Sequence, residues 1–317
     1  MNSPIVIFSY NRPKHINKLL NTIIKNEINK NNKIYLFCDG PKNTIDKKKI
    51  DIIKKIIEKK KIKKKKINIK KKKKKKKKII FHYKIFRKKN LGLSKNIIDG
   101  VSYVLKKHSK CIVLEDDLVI NKNCLKFMNL MLIKLKDNKD FGSVSAHSYI
   151  DEYKTSKEFD FYITKRHCSW CWGTWSRVWN KIEWNKIDYT KHFSNDNEIK
   201  NFSLGGKDLN LLLWGNYKKI INSWAIRFNY FCSKKKLNSF QPRFSMIRND
   251  GRDFTGTHEK FSFSKNKRYD FSPKISSTKN IFFRTLRSAQ IDSYIKNKHR
   301  RSFKLLIRFF LENKRIL

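Results

Sequence analysis

No stretch of this 317-residue chain approaches the ~20 consecutive apolar residues that a membrane-crossing helix needs, so none is expected. Met1-Asn2-Ser3-Pro4 leads into an apolar run of only four residues, Ile5 to Phe8, which does not read as a signal peptide. Both points lead us to expect a cytoplasmic protein. Acidic residues are scarce, 26 against 76 Lys+Arg, for a net charge of +50. Sixteen lysines fall between residues 59 and 78, yet without them about +34 remains, so the bias is global. It favours anionic partners such as nucleotides, nucleic acid or phospholipid headgroups, through long-range attraction that salt weakens. A low-GC genome, which enriches Lys, Ile and Asn together, is a competing cause. The charge alone therefore names no partner.

Cysteines are few and scattered: Cys38, Cys111, Cys124, Cys168, Cys171 and Cys232, which suits reduced thiols better than a disulfide framework. Cys168 and Cys171 form one CxxC, but no second pair or suitably spaced His completes a zinc site, so a structural role is the plainer reading. What is present is enough for a core. With 39% hydrophobic and 13% aromatic residues, a compact chain of this length buries roughly 75% of its unfolded surface, which excludes disorder throughout.

The first half alternates β-branched runs with amphipathic stretches, the pattern of βα units feeding a parallel sheet. Pro4 to Phe8 reads as a strand, and Pro13 onward as a helix, with Ile16, Leu19, Leu20, Ile23 and Ile24 at helical spacing. Ile34 to Cys38 is a second strand, stopped by Asp39-Gly40-Pro41, and Asp46 to Lys61 a second helix. The lysine tract that follows repels itself and reads as a solvated, disordered low-complexity insertion at about 62–78. Ile79 to Phe86 is a third strand, Asn90 to Ser94 turns into a helix reaching about Lys107, and Cys111 to Leu114 is a fourth strand. The second half changes character. All seven tryptophans lie between residues 170 and 224, in longer irregular segments, and each reads more readily as core than as a sugar-stacking platform. Ser302 to Leu311, behind Lys298-His299-Arg300-Arg301, reads as a basic amphipathic helix that either lies on an anionic membrane or packs against the body.

In open parallel sheets ligands sit beyond the carboxyl ends of the strands. Here strand one ends in Ser9-Tyr10-Asn11-Arg12, strand two in Asp39-Gly40 and strand four in Glu115-Asp116-Asp117, so three elements aim polar groups at one cleft. Capping or turn chemistry explains Arg12 or Asp39 singly. The acidic triplet is harder to explain that way, because it sits between the apolar runs Ile112-Val113-Leu114 and Leu118-Val119-Ile120. Adjacent carboxylates repel and resist desolvation, which calls for a cation or several donors. Mg²⁺ or Mn²⁺ takes one or two protein carboxylates and completes its shell with water and substrate phosphates.

The motifs YNRP, CDGPK, KNLGLSKN and IVLEDDLVI, followed by SWCWGTWSRVW, GGKDLNLLLW and QPRFSMIRNDGRDFTGTH, resemble a nucleotide-sugar-dependent glycosyltransferase of the GT-A fold. The likeness is to bacterial family-2-like sugar transferases and to the N-acetylglucosaminyltransferases that initiate complex N-glycans. The resemblance implies an α/β fold, with a Rossmann-like, mostly parallel sheet flanked by helices. It implies a single catalytic domain over 1–265, whose nucleotide-binding part is 1–120 and whose acceptor part, irregular and rich in aromatics, is 121–265. A basic extension then covers 266–317. It also assigns roles. Tyr10 and Arg12 meet the nucleotide, Asp39 pairs with the base, and Lys95 lies beside the diphosphate. Glu115 contacts the donor sugar and Asp116 the ribose or metal-bound water. Asp117 and, in a late closing loop, His258 are metal residues for Mn²⁺ or Mg²⁺. Asp208 is the general base of an inverting transfer, although relatives usually show an aromatic or acidic residue just before it and this chain has Gly205-Gly206-Lys207.

The implied partners are a UDP- or GDP-linked sugar and a glycan, glycolipid or glycoprotein acceptor in surface polysaccharide, lipooligosaccharide or glycoprotein synthesis. The basic tail adds an expected peripheral attachment at the inner membrane, and no specific nucleic acid is expected. Two alternatives stay open. A sugar nucleotidyltransferase of similar fold would show a Gly-rich loop after strand one, and Ser9-Tyr10-Asn11-Arg12-Pro13 holds no glycine. A basic nucleic-acid or membrane-binding protein without catalysis would suit the charge, but no DNA- or RNA-binding signature supports it.

Overall fold

The computed structural model describes residues 2–26, 32–61, 79–156, 158–251 and 285–299. The lysine insertion at 62–78, the helix expected over 302–311 and His258 lie outside the described residues. The first elements are β1 (Ile5–Ser9), α1 (Pro13–Lys25), β2 (Ile34–Cys38), α2 (Thr44–Lys61), β3 (Phe81–Phe86), α3 (Leu93–Leu105), β4 (Lys110–Glu115) and β5 (Leu118–Ile120). β1 and β2 are buried at every position, as strands covered on both faces must be, which is why they read as continuous apolar runs. In α1, Pro13 occupies the first turn, where a missing N–H costs nothing, and Ile16, Leu19, Leu20 and Ile23 form one buried stripe. α3 packs close to the sheet because Gly100 has no side chain: a Cβ there would lie 2.6 Å from the Phe8 ring and 3.0 Å from that of Phe37.

The second half continues with α4 (Cys124–Lys134), β6 (Phe141–Ser145), β7 (Phe161–Thr164), β8 (Trp172–Trp175), α5 (Ser176–Trp179), α6 (Tyr189–Phe193), α7 (Asp196–Ser203), α8 (Asp208–Tyr217) and α9 (Trp224–Lys234). After these come β9 (Asn238–Pro242), β10 (Ile247–Asn249), β11 (Thr285–Leu286) and α10 (Ala289–Lys298). Among the described residues nine strands form one sheet in the order β11-β7-β9-β6-β8-β4-β1-β2-β3, and β5 pairs with β10 in a small second sheet. β1, β2, β3 and β4 are mutually parallel, as are β6 with β9 and β11 with β7. β8 runs antiparallel between β4 and β6 and so joins the two halves. The architecture is thus α/β, a large, mostly parallel central sheet flanked by helices.

The segments expected to be irregular are interleaved with strands that extend this sheet. The core reading of the tryptophans holds for Trp172, Trp175, Trp179 and Trp224, all buried. Trp172 stacks on Trp224 with ring centroids 4.7 Å apart, and Trp175 Nε1 donates to the Leu132 carbonyl at 2.9 Å. Cys168 and Cys171 are buried free thiols, the latter with its Sγ 3.5 Å from Cys124 Sγ, in keeping with a structural role. Residues 285–299 fall in the stretch expected as a basic extension, yet they are built into the body. β11 pairs with β7, and Ile291 and Ile295 of α10 are buried with Ile150, Phe159 and Tyr162. Among the described residues no helix is long and apolar enough to cross a membrane.

Candidate functional site

The parallel register brings the carboxyl ends of three strands side by side: Phe8 is level with Glu115 across β1 and β4, and Ser9 with Cys38 across β1 and β2. Beyond that edge the first loop, the Asp39 turn and the acidic turn meet. Asp116 accepts from Ser9 Oγ at 3.0 Å and from the Tyr10 backbone N–H at 3.1 Å, which ties the acidic turn to the first loop. Arg12 Nη1 donates to Asp117 Oδ2 at 3.0 Å. The turn is closed from its other side by the chain leaving β10, where the Asp250 N–H donates to the Asp117 carbonyl at 2.8 Å. That backbone bond, together with one from the Asn121 N–H to the Met246 carbonyl at 2.8 Å, fixes β10 beside the acidic turn. Gly251 then passes so near that a Cβ on it would lie 2.4 Å from Asp117 Oδ2.

Three adjacent carboxylates in this setting hold their protons tightly. Burial, then Asp117 and Asp116, push Glu115 up to about 8, and burial and Asp117 push Asp116 to about 6. Burial also raises Asp117, with Arg12 pulling the other way. The turn is therefore rich in oxygen donors and short of compensating positive charge, which is the chemistry a hard divalent cation suits. Among the described residues no group of three or more His, Cys, Asp or Glu side chains is arranged as a ready-made metal cage. An open site with one protein carboxylate, its shell completed by water and phosphate oxygens, still fits Asp117.

Asp39 is buried, and its carboxylate accepts from the N–H groups of Gly40 and Leu91 at 2.8 Å and of Gly92 at 3.0 Å, and from Asn90 Nδ2 at 3.2 Å. It thereby moulds the loop that enters α3, in which Gly92 takes φ +77°. This is the turn chemistry that the residue type allows on its own. Lys95, in the first turn of α3, is 62% exposed and paired with Asp99 at 3.2 Å.

Asp208, only 3% exposed, starts α8 and is grouped with a different set of residues. Arg166 grips both its oxygens, Nη1 to Oδ1 at 2.8 Å and Nη2 to Oδ2 at 3.0 Å. The guanidinium lies over the Tyr149 ring, 5.1 Å from its centroid, and the Asp208 N–H donates to the His299 carbonyl at 3.0 Å. The Gly205-Gly206 pair that departs from the resemblance has a local cause. Gly206 takes φ +140°, and a Cβ there would lie 2.3 Å from Arg166 Nη1 and 2.6 Å from Asp208 Oδ1.

Several side chains escaped the sequence reading. Asp46, in the first turn of α2, accepts from the Tyr10 hydroxyl, from Asn11 Nδ2 at 2.7 Å and from the Lys42 N–H at 3.2 Å. Burial raises its pKa, but these hydrogen bonds outweigh burial and leave it lowered. Asp250 is likewise lowered, since its bonds from Arg248 and Lys18 outweigh burial. His147 meets Trp170 and Tyr149 edge to face, at 4.8 and 4.9 Å between centroids, and its Nδ1 lies 2.8 Å from Ser245 Oγ. Asn43-x-x-Asp46 just ahead of a helical pattern is a readable N-terminal signal, since Asn43 Oδ1 accepts from the Asp46 N–H at 2.8 Å. Nothing local marked Arg166 or His147.

No family model and no curated protein matches the chain. Among solved structures, it is similar to S. aureus TarS residues 1–349 at 16% identity and TM-score 0.35, over 56% of this chain and 47% of that one. A longer TarS structure is matched over 30% of its length, so the chain spans about half or less of these two proteins. A cytidylyltransferase from Leptospira borgpetersenii is similar at 12% identity and TM-score 0.33, over 62% of this chain and 71% of that one. The mannosyltransferase PcManGT from Pyrobaculum calidifontis, in complex with GDP-Man and Mn²⁺, is similar at 8% identity and TM-score 0.36, over 74% and 70%.

Proposed function

We propose that the protein is a glycosyltransferase that moves a sugar from a nucleoside-diphosphate donor to an acceptor hydroxyl, using a divalent cation. The observation that carries this reading is the meeting of Tyr10, Arg12 and the Glu115-Asp116-Asp117 turn at the carboxyl edge of β1 and β4. The motif resemblance supports the same assignment. Mn²⁺ or Mg²⁺ held by Asp117 would neutralise the diphosphate as it leaves.

The chain's own residues have separable tasks in this proposal. Tyr10, fixed by Asp46, and Asp39, fixed in the loop before α3, shape the nucleotide end of the cleft. Arg12 gives positive charge to the phosphates. Asp116, bound to Ser9 and Tyr10, holds the turn in place and is the proposed contact to the ribose or to metal-bound water. Glu115, first of the acidic triplet, is the proposed contact to the donor sugar. Asp208 is the proposed base for an inverting displacement, and in that role one of its oxygens must turn from Arg166 toward the acceptor hydroxyl. Lys95 and His258 belong to the same proposal, the first as a cation near the diphosphate and the second in a loop over the donor. UDP- and GDP-linked sugars are the proposed donors, and glycans, glycolipids or glycoproteins of the cell surface the proposed acceptors. We place the reaction in the cytoplasm, with the basic C-terminal residues at an anionic membrane surface.

The test is a thermal-shift screen of the full chain against UDP- and GDP-sugars, with and without Mn²⁺. A donor at 100 times its dissociation constant adds about 2.7 kcal/mol, readily seen as a rise in Tm. A rise that needs both donor and cation, and that Asp117→Asn removes, supports the proposal. No rise with any donor, or the same rise in Asp117→Asn, refutes it.

A further inference from the structure

At the end of β2 opposite Asp39 lies a second cleft, about 190 Å³ in volume, in which Lys33, His82, Lys107 and His108 surround the rings of Tyr35, Tyr83 and Tyr103. Tyr35 and Tyr83 are partners in the β2–β3 register, and so share one face of the sheet. Tyr103, near the end of α3, stacks on Tyr83 with centroids 4.8 Å apart. Tyr35, 2% exposed, forms the floor and meets His82 and His108 edge to face at 5.5 and 5.7 Å. Its hydroxyl lies 2.8 Å from His108 Nε2, while Lys107 Nζ donates to the Tyr103 hydroxyl at 2.8 Å.

None of the residues lining the cleft is acidic. Burial lowers the pKa of His108, and the neighbouring Lys33, His82, Lys107 and Lys110 lower it further. Lys33, His82 and Lys107 are exposed at the mouth of the cleft, where an entering anion would relieve their mutual repulsion. Ammonium, imidazole N–H and phenol groups all donate, and the oxygens of a phosphomonoester dianion only accept, so the lining and a phosphate are complementary. A dianion matches two lysines better than a carboxylate does. The volume exceeds that of a phosphate group, and the tyrosine rings give the adjoining organic part an apolar wall.

We propose that this cleft is an anion site for a phosphomonoester, separate from the acidic turn. Five residues of β2 at ~3.3 Å each set the two about 16 Å apart, so the site does not depend on the glycosyl-transfer reading.

The experiment follows the imidazole C–H resonances of the full chain, which has eight histidines, during titration with orthophosphate at constant ionic strength. His82→Gln and His108→Gln assign the two signals. Saturable shifts at His82 and His108 are expected, weakened about tenfold or more in Lys107→Gln, because a charge-assisted contact of this kind is worth about that factor. Lys200→Gln, on the exposed side of α7, should match the wild type. Should Lys107→Gln fail to fold, the exposed Lys33→Gln provides the same comparison. Glycerol 3-phosphate and phosphatidate vesicles then separate a soluble ligand from a lipid headgroup. Saturation by either supports the site and names its source. Shifts that rise linearly at all histidines, or equal weakening by Lys200→Gln, would overturn it as nonspecific screening of a polycation.

Discussion

Arg12 Nη1 lies 3.0 Å from Asp117 Oδ2, so the first loop neutralises the carboxylate that ends the acidic turn. The same oxygen is approached by Gly251, which leaves no room for a Cβ. Asp117 is thus aimed by two loops distant from it in sequence, the first of them 105 residues away, and its direction depends on both. Asp117→Asn removes a charge from a repelling triplet but also the charged partner of Arg12, so it should change folding stability little while abolishing any cation-dependent response to donor. Differential scanning fluorimetry with and without Mn²⁺ checks both halves of this expectation.

The acidic turn also sets a pH dependence. Glu115 and Asp116, held at about 8 and about 6, bind protons more tightly in the folded chain than in the unfolded one. The stability they contribute is complete below the ordinary carboxylate range and is lost as pH rises through about 6 and then about 8. In EDTA, the Tm of the wild type relative to Glu115→Gln should therefore fall between pH 5 and 9. A difference that stays constant over that range contradicts the shift.

The Arg166–Asp208 pair offers a double-mutant cycle. Arg166→Met alone leaves a buried carboxylate without its partner, at a cost of about 3 to 5 kcal/mol, whereas adding Asp208→Leu should recover most of the loss. Gly206→Ala should cost about 1 to 3 kcal/mol, from its φ of +140° and the close approach of Arg166. Urea unfolding of these variants measures the energies. Equal destabilisation by the single and double changes would show that the pair is not coupled.

Asp208→Asn separates chemistry from structure. If Asp208 is the base, turnover falls about 10²- to 10⁴-fold while the donor-induced Tm shift persists. Full turnover in the folded variant would leave Asp208 with a structural role only.

Asp39→Ala leaves the N–H groups of Leu91 and Gly92 without their acceptor, and should destabilise the fold by about 1.5 to 3 kcal/mol. Hydrogen exchange at those two amides is the direct readout, and unchanged protection there would count against the clamp.

The first half of the fold was legible because its signals are local. Ile34 to Cys38 is a strand with the bounds read from its apolar run, and α1 begins at the proline expected to start it. β8 was not legible, since Trp172 to Trp175 are all buried and show no alternation of apolar and polar residues. The acidic triplet announced itself through charge against an apolar background. Arg12 stood out at the end of strand one, but its pairing with Asp117, 105 residues away, did not, and Asp46, which holds Tyr10 across 36 residues, gave no such signal. The Arg166–Asp208 pair spans 42 residues, and no spacing rule links an arginine after a strand to an aspartate at a helix start.

The position of β8 between β4 and β6 has a consequence for synthesis on the ribosome. The four parallel strands up to β4 are complete by residue 115, but the partner that covers the far side of β4 ends sixty residues later, at Trp175. Until then the nascent chain presents Cys111, Ile112 and Val113 along an unpaired border, the kind of surface that recruits other growing chains or chaperones.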